Sequence, residues 1–328
     1  MKADPATRAV NAQSAMTWTT VVAEPSELGE SPFWDPGERL LYWVDIDGRQ
    51  IHRCDAASSS VQSWAMPSEP GCIAPARSAS GGGLVIALRD GIYRADHWGG
   101  ALRQLVAAPY DTATTRFNDG KADPLGRFWA GTLFGPRTDA RAELFSLDGR
   151  AAGPATLQRQ ATGATVANGL AWSPDARTLY WGDTTSHTVR AWDWDAAGNR
   201  LSGERVFKQW PRKPANWRAD AAGHPDAPAY GGRPDGAAVD AEGNYHVAMF
   251  EGARLLKLSP AGELLADIAV PAQCPTMPCF GGDDLKTLYL TTARHGRPAA
   301  ELLRYPQSGC VFSMRVEVPG LPVNVFAD

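Results

Sequence analysis

One short unit returns six times along this chain: a polar or small turn, followed at once by a run rich in aromatic and β-branched residues. The copies are Asp35-Pro-Gly-Glu before Leu40-Leu-Tyr-Trp-Val, Ser80-Gly-Gly-Gly before Leu84-Val-Ile-Ala-Leu, and Asp123-Pro-Leu-Gly before Arg127-Phe-Trp-Ala-Gly. They continue as Ser173-Pro-Asp-Ala before Thr178-Leu-Tyr-Trp-Gly, Asp240-Ala-Glu-Gly before Asn244-Tyr-His-Val-Ala, and Gly281-Gly-Asp-Asp before Thr287-Leu-Tyr-Leu-Thr. The turns begin at 35, 80, 123, 173, 240 and 281, in steps of 45, 43, 50, 67 and 41. Steps near one value with a single long one describe six copies and one insertion. The excess falls in 210–232, a stretch rich in Pro, Ala, Gly and Asp.

Period-two alternation is common within the copies, and no 3.6-residue apolar period is sustained. Each copy has room for four short strands, expected in the first at 30–34, 40–45, 50–54 and 61–66. Units of about 40–50 residues with four strands each are the signature of a β-propeller. The expected fold is therefore all-β: a six-bladed β-propeller with four-stranded blades around a central channel. A strand at 17–23 is placed to complete the last blade, because closure protects sheet edges. Residues 1–16 read as a flexible N-terminal arm, and 17–328 as a single propeller domain with a long loop inserted at about 210–232. A pair of β-sandwiches would leave six copies of one turn unexplained.

Composition narrows the function. Lys and Arg total 32 against 36 Asp and Glu, a formal net charge of −4, which offers no general attraction to nucleic acid or anionic lipid. No apolar run approaches the roughly 18 residues that span a bilayer. The first sixteen residues lack the apolar stretch of a secretory signal, so a cytoplasmic protein is expected. Five cysteines, an odd number widely spread, make no disulfide framework. The expected partner is a small molecule, with no nucleic acid and no membrane, and the expected state is a monomer or weak homo-oligomer.

Equivalent positions in propeller blades stand around one axis. Five residues before each turn lie Glu30, Pro75, Asn118, Asn168, Asp235 and Thr276. Four are Asp, Glu or Asn, in strands otherwise filled by small and apolar residues. The innermost strand of each blade lines the channel, so Glu30, Asn118, Asn168 and Asp235 are expected to converge at one end of it. Asn or Asp beside Gly also forms ordinary turns; it is the register across blades that argues for a site. An all-oxygen set of two carboxylates and two carboxamides suits a hard divalent cation, Ca, Mg or Mn, with Zn also possible.

At these residues the chain resembles the SMP-30/gluconolactonase/regucalcin family of six-bladed propellers, which are metal-dependent sugar lactonases. The resemblance rests on Leu28-Gly-Glu-Ser-Pro-Phe-Trp34, Tyr42-Trp-Val-Asp-Ile46 and Arg116-Phe-Asn-Asp-Gly-Lys-Ala-Asp-Pro-Leu-Gly-Arg127. It continues through Ala130-Gly-Thr132, Asn168-Gly-Leu-Ala-Trp-Ser-Pro-Asp175 and Arg233-Pro-Asp-Gly236. It implies metal ligands at Glu30, Asn168 and Asp235, an acid/base at Asp235, and substrate contacts at Arg116 and Asn118. Some relatives carry an acidic substrate contact just after Ala-Gly-Thr; here the chain reads Leu133-Phe-Gly-Pro-Arg137, and Pro136 cannot serve.

The expected activity is gluconolactonase-like opening of a sugar-acid lactone: one divalent metal ion (Ca, Zn, Mn or Mg) polarises the carbonyl and Asp235 assists the attacking water. The alternatives are a calcium-binding regulatory propeller with little turnover and a calcium-dependent esterase or phosphotriesterase. Other features read as structural. No Gly-x-Ser-x-Gly elbow occurs, and His52, His97, His187, His224, His246 and His295 never fall at metal-site spacing. Asp45-Ile-Asp47-Gly48 reads as a hairpin turn, Cys274 and Cys279 as structural thiols, and the twelve Trp as packing between blades.

Overall fold

The computed structural model describes residues 17–77, 81–150, 155–221 and 228–328. The expected arm at 1–16, Ser80, His224 and the middle of the 210–232 loop lie outside the described residues. The fold is a six-bladed β-propeller. Its innermost strands are Gly29–Asp35, Pro70–Arg77, Thr115–Ala122, Ala167–Trp172, Arg233–Val239 and Pro275–Gly281, each leading an antiparallel blade. Each touches the next, and the sixth returns to the first. The strands of the first blade, Gly29–Asp35, Leu40–Asp45, Gln50–Asp55 and Ser60–Ala65, match expectation to within a residue or so.

The repeated turn has a physical reason. Asp35 Oδ1 accepts the N–H groups of Gly37 and Glu38, Asp123 Oδ1 those of Leu125 and Arg127, and Asp240 Oδ1 those of Glu242 and Asn244. Each carboxylate closes its own turn and satisfies backbone donors that leave the ladder there. In two blades the second oxygen also ties the turn to the next strand. The Trp129 indole donates to Asp123 Oδ2 at 2.8 Å, and the His246 ring meets Asp240 Oδ2 at 3.0 Å.

The expected N-terminal strand closes the ring. Thr19–Val22 pairs antiparallel with Val311–Arg315, Thr20 opposite Phe312, and fills the outer place of the sixth blade. Tryptophans fill the seams, as expected. Trp129, Trp172 and Trp194 meet edge-on or tilted at 5.7–6.0 Å between the third and fourth blades, and Trp34 stacks on Tyr289 at 5.9 Å between the sixth and first.

Two elements had no signal in the repeat. A short helix, Ala299–Arg304, follows the second strand of the sixth blade and is fastened by an Arg297–Glu301 ion pair at 2.7 Å. The last residues cross the far end of the channel, where Phe326–Ala327 pairs parallel with the innermost strand of the second blade. Asp328 there meets the buried Arg94 at 3.2 Å.

Candidate metal and substrate site

Every innermost strand breaks register once: between Glu30 and Phe33, Pro70 and Cys72, Phe117 and Gly120, Asn168 and Ala171, Pro234 and Ala237, and Pro275 and Pro278. Such bulges re-aim side chains and leave backbone groups unpaired. The offset of five residues reaches this level in five blades. In the second it falls on Pro75, which sits opposite Leu84 further along the strand. The residue at that break is Gly71, where a Cβ would collide with the Phe117 carbonyl of the neighbouring blade.

At this level a pocket of about 100 Å³ is lined by Glu30, Arg116, Asn118, Asn168 and Asp235, with Leu28, Leu133, Arg137, Val166, Thr184, Thr185, Arg233 and Phe250. The structure thus brings together all five residues singled out in the sequence, although Glu30 and Asp235 are 205 positions apart. A line of hydrogen bonds orders four of the polar groups. Arg116 Nη1 donates to Asn118 Oδ1 at 2.7 Å, and Asn118 Nδ2 donates to Asn168 Oδ1 at 3.0 Å and to the Ala167 carbonyl at 2.8 Å. Asn168 Nδ2 donates to Thr184 Oγ1 at 2.7 Å, and that hydroxyl donates to the Pro234 carbonyl at 2.7 Å. Because each amide donates on one side and accepts on the other, the line fixes which way both carboxamides face. It links the third, fourth and fifth blades.

The carboxylates are under strain of another kind. Glu30 and Asp235 are each about 5% exposed, and neither has an ion-pair partner among the described residues. Burial, and then repulsion from Asp235 and Asp119, hold the Glu30 carboxyl well above its ordinary range. Burial pushes Asp235 up to about 8, against the pull of Arg233 and with Asp119 adding to the rise. Among the described residues no group of three or more His, Cys, Asp or Glu is placed to hold a metal. The donors in this pocket are instead two carboxylates and two carboxamides, and a divalent cation would relieve their charge. Gly169 lets the backbone come this close: it stands at φ 64°, and a Cβ there would strike the Tyr245 hydroxyl.

The site also holds residues that the repeat did not reveal. Asp119 is 3% exposed, accepts the Leu170 N–H at 2.8 Å through one oxygen and leaves Oδ1 buried without a partner. Thr184 sits on a turn after the second strand of its blade, and Arg137 in a loop, so neither shares the five-residue offset. Arg233 lies beside Asp235, in a segment already singled out for its Pro-Asp-Gly.

The remaining readings hold where the structure speaks to them. Asp45 accepts the N–H of Gly48 at 2.9 Å and so forms the expected turn. Cys274 and Cys279 are buried free thiols, both pushed up by burial. At the far end of the channel a chamber of about 310 Å³ is lined mainly by apolar groups such as Phe33, Trp34, Ala171 and Phe280. Leu321–Asn324 closes it, and among the described residues Lys121 is the one charged side chain on its wall. No described helix is long and apolar enough to cross a membrane.

The chain is similar to known proteins over nearly its whole length. The chain is 42% identical over 311 residues to a 6-deoxy-6-sulfogluconolactonase of Pseudomonas putida, a match covering 95% of this chain and 99% of that protein. It is 33% identical over 306 residues to a regucalcin of Danio rerio, covering 92% and 95% of the two chains. A solved luciferin-regenerating enzyme superposes with a TM-score of 0.82 at 26% identity, covering 95% of this chain and all of the other. The family described as SMP-30/Gluconolactonase/LRE-like region matches residues 28–294, and this chain belongs to that family.

Proposed function

We propose that the protein hydrolyses a sugar-acid lactone with one divalent metal ion, Ca, Zn, Mn or Mg, held by Glu30, Asn168 and Asp235. The observation that carries this reading is the meeting of those oxygen donors with Arg116 and Asn118 in one pocket. The relative named as a sulfogluconolactonase, alike over nearly the full length of both chains, supports the reaction class. When bound, such an ion polarises a lactone carbonyl and offsets charge growing on its oxygen.

The chain's own groups supply the rest. Asp235 accepts a proton as the water oxygen bonds to the carbonyl carbon, and returns it to the ring oxygen as the C–O bond breaks, leaving the open-chain hydroxy acid. Arg116 orients the lactone oxygens with its remaining guanidinium donors, and Asn118, whose two amide donors go to Asn168 and the Ala167 carbonyl, fixes Arg116 through Oδ1 and turns that oxygen toward the substrate.

The test is proton release on glucono-, galactono-, arabinono- and xylonolactones, using chelator-stripped protein refilled with single divalent ions. Turnover restored by metal on one or two lactones is expected. Tight metal binding with no hydrolysis above the metal-only background would overturn the reading in favour of a regulatory binder. Hydrolysis confined to aryl esters or phosphotriesters would overturn it in favour of an esterase.

A further inference from the structure

Three guanidinium groups line the pocket against two carboxylates, and their pairing within the chain is incomplete. Arg116 donates to Asn118 Oδ1 and the Phe117 carbonyl and has no carboxylate partner among the described residues. Arg137 makes no side-chain hydrogen bond and no ion pair among the described residues. Its backbone is nonetheless held in the left-handed region, at φ 56°, by a turn in which its N–H donates to the Phe134 carbonyl at 3.0 Å. Arg233 lies 3.4 Å from Glu251, but that carboxylate also takes Lys213 at 2.9 Å and Arg297 at 3.0 Å. Arg297 is paired with Glu301 as well, so Glu251 is shared among three cations, of which Arg233 stands farthest from it. Arg233 Nε is buried with no hydrogen-bond partner, while its guanidinium is steadied 5.2 Å from the centre of the Phe250 ring. Arg137 and Arg233 repel each other across this space.

Arginines left without a full ion pair among the described residues can take an anion from outside. Arg137 is exposed at the rim, whereas Asn118 is 6% exposed and hydrogen-bonded to Asn168 deeper in. We propose that Arg137 and Arg233 form an anion subsite for a charged group borne by the lactone at the end away from its carbonyl, making anionic sugar lactones the preferred substrate class. The proposal rests on the lactonase reading above. Planar guanidinium forks match the oxygens of a sulfonate, a phosphate or a carboxylate, so the shared chemistry is a multi-oxygen anion.

The test compares kcat/KM on glucono-δ-lactone with the same lactone carrying a sulfonate, a phosphate or a carboxylate at C6, using the metal-loaded protein. At least one charged form is expected to exceed the neutral one by about thirtyfold or more at low salt, mainly through KM, with the gap narrowing in 0.5 M NaCl. Arg137→Ala should shrink the charged-to-neutral ratio at least tenfold, and Arg137→Lys should keep part of it. The arm with the largest ratio names the anion. Equal turnover of charged and neutral lactones, or a ratio unmoved by Arg137→Ala or by salt, would overturn the subsite and leave the lactonase standing. Failure to open any lactone, neutral or charged, would overturn both.

Discussion

Replacing Asp235 by Asn should make the metal-free protein more stable and the metal-loaded protein less so. In the metal-free fold the carboxyl stands at about 8, against 3.8 for the free side chain. The folded state therefore binds the proton more tightly than the unfolded one, and stability falls as pH rises from about 4 to 8. At about 1.36 kcal/mol per pH unit, the penalty for ionising this one group is at most about 2 kcal/mol at pH 5 and about 5 at pH 8. Relaxation and water entering the pocket lower these ceilings, leaving on the order of 2–3 kcal/mol at pH 8. The amide keeps the shape and removes the charge, so Asp235→Asn in chelator should melt roughly 3–5 °C above the parent at pH 8, and roughly 1–2 °C above it at pH 5. Saturating divalent ion should reverse the order, since the parent gains binding energy that the variant lacks. Lactone turnover should fall by about 10²–10⁴-fold. Thermal unfolding at the two pH values, with chelator and with metal, checks all of this. An Asn variant no more stable than the parent in chelator at pH 8, or a gain that does not shrink at pH 5, would refute the electrostatic argument.

Two further outcomes concern the scaffold. Gly169→Ala should lose about 1–3 kcal/mol in urea unfolding, because the new Cβ meets the Tyr245 hydroxyl at a positive φ; adding Tyr245→Phe should recover part of the loss. Glu69, 2.9 Å from Arg89, is drawn down to about 2 by that guanidinium. Its contribution is complete above the ordinary 4.5 and fades as pH falls toward 2. Glu69→Gln should therefore destabilise by about 1 kcal/mol at pH 7 and progressively less between pH 5 and 3; a gap constant over that range would rule the ion pair out as the cause.

The propeller was legible in the sequence because the closing turn needs a particular chemistry. An Asp or Ser that caps its own turn must recur wherever the strand reverses, and Asp35, Asp123 and Asp240 each accept two backbone N–H groups, the first from the residue two positions on. The pocket residues were legible for the same reason, since Glu30, Asn118, Asn168 and Asp235 stand at a fixed distance from those turns. Pro75 shows where the offset fails: it lies further along its strand, opposite Leu84, and Gly71 takes the place at the channel. Arg137 and Thr184 escaped notice because they sit on turns and loops at the other end of the strands, whose lengths vary from blade to blade. Phe326–Ala327 escaped it because two residues pairing with a distant strand carry no period.

The ring is closed by strands from opposite ends of the fold: Val311–Arg315 pairs with Thr19–Val22, almost three hundred positions away. During synthesis the early strand emerges first and has no edge to join until its partner has left the ribosome. At about 5–20 residues per second, that wait is on the order of 15–60 s. For that interval the growing chain carries finished blades at one end and an unclaimed strand at the other, and the sixth blade cannot be completed. Full assembly is thus postponed until Val311–Arg315 has emerged. A fault in either end strand would leave the sixth blade short of an outer strand, with an unpaired edge offered to any neighbouring chain.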